Sequence, residues 1–281
     1  MNLYNKVCEF IEHPFPLWEC EITEALVQNI WNNLNKKYSE YSTARSILGW
    51  STPLAKRVLI SGRFFEMPIY MDAPSIEELK SFYDEHGLVV SSEQEAEDNN
   101  SLAKLKSAFN IIAKVEPIND CIENLVRSIH IIKQEDLEID SSYSNPQIPF
   151  SIFVSVCEND SVISSLRVAE SILHEAMHLK LTLIENIVQL VMPHTDNLYF
   201  SPWRDEKRPA QGVLHGLFVF RAILDFLDKL EKNNFSENVM NYIQQRKEQI
   251  SYEIFQLKSF HLCEDLTPNG AILTKNLLPL N

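Results

Sequence analysis

Apolar and polar positions alternate along the chain with periods that change from segment to segment. Leu3 to Ile11 has the spacing of a short amphipathic helix, stopped by His13-Pro14-Phe15-Pro16. A second helical pattern runs from Trp18 to about Tyr38, with Leu26, Ile30, Trp31 and Leu34 on one face. Ser39 to Pro53 is mixed. Between Arg57 and Tyr70 the residues Val58, Leu59, Ile60, Phe64, Phe65 and Ile69 favour extended chain turned at Ser61-Gly62. Ser75 caps a short helix reaching about His86. Ser91 to Asn100 is acidic and polar and reads as a loop or boundary. Leu102–Val115 and Asn119–Ile132 read as two helices around Pro117, and Gln134–Asn145 as a turn-rich stretch. Ile148 to Val156 is a strand, turned by Glu158-Asn159-Asp160 into a long helix from about Ser161 to no further than Met192, ahead of Pro193. A loop dense in aromatics, arginines and prolines spans Asn197 to Pro209, and a strongly apolar helix starts at Ala210. There is no internal repeat.

The long helix carries the candidate chemistry. Its centre reads Ser171-Ile-Leu-His174-Glu175-Ala-Met-His178-Leu-Lys180, an H-E-x-x-H motif on an otherwise apolar run. Residues four apart lie about 40° apart around a helix and roughly 6 Å along it. Two imidazoles so placed can bind one metal ion, and the glutamate between them can act on a metal-bound water. Polar groups on an apolar helix need such a reason, since burying them unpaired costs several kcal/mol. A third ligand is open to three choices. Leu181 and Ile184 stand where the metzincin pattern needs glycine and histidine, which excludes that class. Glu185 is about 10 Å beyond His178 along a straight helix, out of reach of the same ion and suited to a supporting part. His194 follows Pro193 in the loop. His215 lies on the apolar helix after Ala210; such a histidine is commonly a core residue, but beside a motif lacking a third ligand it is the best choice. His174, His178 and His215 together would suit Zn²⁺ or Fe²⁺.

Composition narrows the classes. The 281 residues are 45% hydrophobic, enough for a sizeable core. A net charge of −14 argues against nucleic acid or an anionic membrane as partner. Cys8, Cys20, Cys121, Cys157 and Cys263 are scattered and odd in number, as reduced cytoplasmic thiols are. The start of the chain lacks a signal-peptide core, and no run of about 18 apolar residues suggests a membrane span. A cytoplasmic protein is expected, which weakens a secreted-protease reading. The expected fold is α+β and mostly helical, the H-E-x-x-H helix packed on the second apolar helix and a small sheet bordering the metal. The expected division is 1–147, a helical and mixed region suited to binding a peptide, and 148–281, a metal-binding catalytic region, within what can be one continuous domain.

The order of motifs adds a resemblance. L-H-E-A-x-H-L-K-L, then Y-F-S-P-W-R-D-E-K-R-P, then G-V-L-H-G-L-F-V-F resembles the H-E-x-x-H-type maturases of ribosomally synthesised, post-translationally modified peptides, over about Leu166 to Phe226. The resemblance implies an Fe(II)- and 2-oxoglutarate-dependent hydroxylase acting on a side-chain β-carbon of a precursor peptide. The distal carboxylate of 2-oxoglutarate needs a cationic partner, and arginine supplies one bidentately; Arg208 is the first choice and Arg204 the second. Their plainer reading is a solvated loop in which they pair with Asp205 and Glu206. Tyr199, Ser201 and Trp203 could line the same pocket, although packing is the commoner role. Three histidines depart from the usual two-histidine, one-carboxylate iron triad. In this reading Glu175 holds water or orients a ligand. The alternatives are a zinc metallopeptidase using Glu175 as general base, and a non-catalytic peptide-binding protein with a structural metal, for which no cysteine near the motif offers a closing ligand.

Overall fold

The computed structural model describes residues 1–37, 56–59, 70–73, 82–90, 99–133, 140–146, 150–156 and 161–279. The mixed stretch, the Ser61-Gly62 turn, the Ser75 cap, most of the acidic loop and the 158–160 turn lie outside them. The fold is α+β, mostly helical, with small sheets. The chain forms two compact units, Val27–Leu179, and Met1–Leu26 with Lys180–Asn281. The boundary expected after residue 147 lies outside the described residues.

In the Val27–Leu179 unit, β1 (Lys56–Leu59), β2 (Tyr70–Ala73), β3 (Ser128–Ile132), β4 (Ser142–Ser144) and β5 (Ser151–Ser155) form a sheet in the order β1-β2-β3-β5-β4. The outer pairs are antiparallel and the inner ones parallel. Every residue of β3 and β5 is buried. That explains the first correction to the sequence reading. The expected helix Asn119–Ile132 ends at Leu125, and Ser128–Ile132 is a central strand. An apolar run buried on both faces does not alternate, so periodicity cannot tell it from a buried helix. The second correction is β4, a strand within the stretch read as turns. The helices α3 (Asn99–Ile112) and α4 (Glu116–Leu125) precede β3, with Pro117 in the first turn of α4, where its missing N–H is harmless. The motif helix, α5, is Val162–Glu185, and the Ser161 hydroxyl accepts from the Ser164 N–H at its start.

In the other unit, α1 (Leu3–Glu12) ends where Asn276 donates its amide to the carbonyls of Ile11 and Glu12. Asn276 belongs to α8 (Pro268–Leu277), itself capped by Thr267. The helix α2 (Cys20–Lys37) begins in this unit. The stretch read as a loop is a hairpin, β6 (Leu198–Ser201) against β7 (Glu206–Pro209). It lacks a two-residue Asn-Gly signal; Pro202 to Asp205 make the turn, with Asp205 at φ 50°. The hairpin lies over α6 (Ala210–Leu230). The Trp203 ring stacks on Phe220 at 4.9 Å and 10°, and a Cβ on Gly216 would meet Trp203 at 2.6 Å. Among the described residues α6 alone is long and apolar enough to cross a membrane, although 61% of that stretch is buried in the fold; it also carries an Arg221–Asp225 ion pair at 3.1 Å. A further helix, α7 (Glu237–Gln256), packs on it.

Two outcomes follow from this packing. Gly216→Ala should lower stability by about 1–3 kcal/mol in urea unfolding, because overpacking against the indole outweighs a helix-propensity gain of about 1 kcal/mol. Gly212→Ala, whose new methyl would meet only the flexible Arg208 side chain at 3.4 Å, should be neutral or stabilising. The second concerns pH. Burial above all pushes Asp225 up to about 6, with Arg221 opposing and Asp228 adding. A carboxyl raised on folding favours the folded state below about pH 4, and that contribution is lost as pH rises through 6. Asp225→Asn should therefore gain on the wild type by up to roughly 3 kcal/mol between pH 4 and pH 7. A difference that stays constant with pH would show that Asp225 titrates as in the unfolded chain.

Candidate functional site

From Val168 to Leu181 the motif helix is buried at every position except His174 and His178. These two, one turn apart, are where the helix reaches solvent. Their Nε2 atoms are 3.1 Å apart and their rings meet edge to face at 4.7 Å. That separation suits one ring donating an N–H to the other. It also suits neighbouring nitrogen ligands of one divalent ion, whose metal–nitrogen bonds are about 2.0–2.1 Å. The pair therefore fits two ligand positions.

Glu175 is 3% exposed, and its carboxylate is held from both sides. Ser142 donates its hydroxyl to Oε1 and Ser144 donates to Oε2, both at 2.6 Å. Oε1 is 3.9 Å from the Nε2 of His174. The grip follows from the pleat. Alternate residues of a strand share a face, so both serines of Ser142-Tyr143-Ser144 point one way and Tyr143 the other. In register with Ile152 and Val154 of β5, the serines present two hydroxyls to a helix that would otherwise bury a charge without partners. These serines were missed in the sequence. The signal was the S-x-S alternation, hidden in a stretch of turn-forming composition.

The other candidates lie in the second unit. The Nε2 of His215 is 3.0 Å from Oε2 of Glu185, the same oxygen that accepts from Gln211 at 3.2 Å. His194 lines a cleft of roughly 350 Å³ beside Pro193 and adopts φ 57°. Among the described residues, no three His, Cys, Asp or Glu side chains form a group that could hold a metal ion. Arg208 is 40% exposed at its side chain, with Nε 3.7 Å from Glu206, and Arg204 is exposed. Tyr199 packs edge-on against Phe260 at 5.6 Å, and its hydroxyl is pushed up to about 12, by desolvation first and then by Cys263. Ser201 is buried and Trp203 packs on α6, so these hairpin residues serve packing. Lys180 is fully buried; its ammonium donates to the Glu19 carbonyl at 2.9 Å and lies 5.0 Å from the centre of the Phe10 ring. Among the described residues, Cys8, Cys20, Cys121 and Cys263 form no disulfide. No family model matches the chain, and no curated protein does.

The grip on Glu175 can be measured. Ser142→Ala and Ser144→Ala should each cost about 1.5–3 kcal/mol, the range for hydrogen bonds to charged groups. In a Glu175→Gln background each cost should fall towards the neutral value of about 1 kcal/mol. Equal costs in both backgrounds would show that the serines act elsewhere.

Proposed function

We propose that the chain is an Fe(II)- and 2-oxoglutarate-dependent hydroxylase acting on a side-chain β-carbon of a ribosomally made precursor peptide. What supports it is the pair of facing Nε2 atoms, 3.1 Å apart, at the solvent-reaching positions of a buried helix. His174 and His178 would hold the iron; dioxygen is the oxidant, and 2-oxoglutarate supplies two electrons as it is converted to succinate and CO2, so that one oxygen atom would enter the substrate C–H bond and the other the succinate. The reading carries with it the expected packing of the motif helix on the helix bearing His215, and a cytoplasmic setting. His215 is the first candidate for the third ligand, ahead of His194. Glu175, with both oxygens engaged by serine hydroxyls, suits holding the imidazole face in place better than moving protons. Arg208 is the first candidate for the distal carboxylate of 2-oxoglutarate, and it would have to exchange Glu206 for that partner.

One observation favours a second reading, a zinc metallopeptidase. The Glu175 carboxylate lies 3.9 Å from the His174 imidazole, close enough to act on a water held by the pair.

Loading the protein with metal under nitrogen decides between them. The hydroxylase retains Fe(II), gains a weak visible charge-transfer band when 2-oxoglutarate is added, and melts higher with it. His174→Ala and His178→Ala lose the metal. His215→Ala weakens retention; unchanged retention moves the third ligand to His194 or a carboxylate. Arg208→Ala keeps iron but raises the apparent KM for 2-oxoglutarate some tens- to thousands-fold, as loss of one partner of a desolvated charge pair does. A protein that ignores 2-oxoglutarate and splits peptides with Zn²⁺ under nitrogen overturns the proposal.

A further inference from the structure

The cleft beside His194 has a polarity of its own. It is lined by Glu185, Gln189, Met192, Pro193, Pro209 and Gln211 among others, and its roughly 350 Å³ is at the small end of ligand pockets. Two glutamines and a carboxylate supply much of its polar character, and hydrogen-bond direction fixes how the glutamines stand. Gln189 reaches the carbonyl oxygen of Val191 at 3.0 Å. Gln211 reaches Oε2 of Glu185 at 3.2 Å. Both partners are pure acceptors, so in each case the amide nitrogen must face the partner. Each side chain then has its amide oxygen as an acceptor to offer a ligand, beside the second N–H of the amide. The Glu185 carboxylate, whose Oε2 meets His215 and Gln211, adds acidic oxygens to these acceptors, in a lining that also holds His194 and Thr195. Met192, Pro193 and Pro209 supply apolar surface beside it.

A wall of acceptors next to apolar surface selects a ligand with several donors, a positive charge and an alkyl stem. We propose that this cleft binds a basic amino-acid side chain, a lysine ammonium or an arginine guanidinium, presented by a peptide. The charge of −14 on the chain draws such a group in at long range. Glu185 bears the charge, Gln189 and Gln211 add neutral acceptors, and the prolines flank the methylenes. This site needs neither the metal nor the oxygenase reading, and the three side chains belong to one compact unit.

The test uses the full-length protein and four capped pentapeptides, Gly-Gly-X-Gly-Gly with X as lysine, arginine, norleucine or glutamate, followed by amide chemical shifts. The lysine and arginine peptides should bind at least tenfold more tightly than norleucine, which keeps the stem and lacks the charge. The shifts should cluster at residues 185–195 and 209–211. Glu185→Gln, which preserves shape, should erase that preference. Where that variant fails to fold, salt supplies the second reading: 0.5 M NaCl should weaken wild-type binding of the lysine peptide severalfold and leave norleucine unchanged. Equal binding of lysine and norleucine overturns the proposal, as does stronger binding of the glutamate peptide, a preference that survives in folded Glu185→Gln, or shifts confined to other residues.

Discussion

A helix buried on nearly all sides can carry a charged side chain only where a neighbour supplies hydrogen bonds for it. The motif helix obeys that constraint in each unit. In one, the carboxylate of Glu175 takes a serine hydroxyl on each oxygen. In the other, the ammonium of Lys180 finds a main-chain carbonyl and the face of a phenylalanine. These contacts do more than settle charge. The first ties the edge strand β4 to the helix, and the second ties the start of α2 to the helix's last turns. Glu170 is buried on the same helix, and His174 and His178 are the residues that the stretch from Val168 to Leu181 turns to solvent.

The parts that were legible in the sequence are those with a clear period. The helices α1, α2, α5 and α6 and the strand β5 declare themselves through spacing, with Pro14 beyond the end of α1; α5 ends at Glu185, well ahead of Pro193. The strand β3 does not, because Ser128-Ile-His-Ile-Ile is buried on both faces and has no polar side to betray its period. β4 is three residues long and sits in turn-forming composition, so its serines read as loop. The hairpin β6–β7 has strands of four residues and no glycine turn. At the site, the imidazole pair was legible because one helical turn brings i and i+4 together. Contacts between distant segments were not. Ser142 and Ser144 lie over thirty positions from Glu175, and nothing local links them.

The hairpin shows how a loop-like composition becomes ordered. Trp203 lies where Gly216 leaves α6 bare, and Phe220, one turn further on, receives its ring face. Size does the selecting here. A tryptophan can lie flat on a helix only where a residue without a side chain makes room, and the aromatic one turn away fixes the angle. The arginines and lysine of the hairpin are then carried on a fixed support.

The pleat that aims Ser142 and Ser144 at Glu175 also makes this short strand intolerant of a change in length. Moving the chain by one residue through β4 would turn Tyr143 towards the carboxylate and both hydroxyls away from it. A phenol is too long for the 2.6 Å contacts the serines make. The constraint falls on the phase of three residues locked to β5. In the history of such a chain, substitutions would accumulate around this strand far more readily than insertions within it.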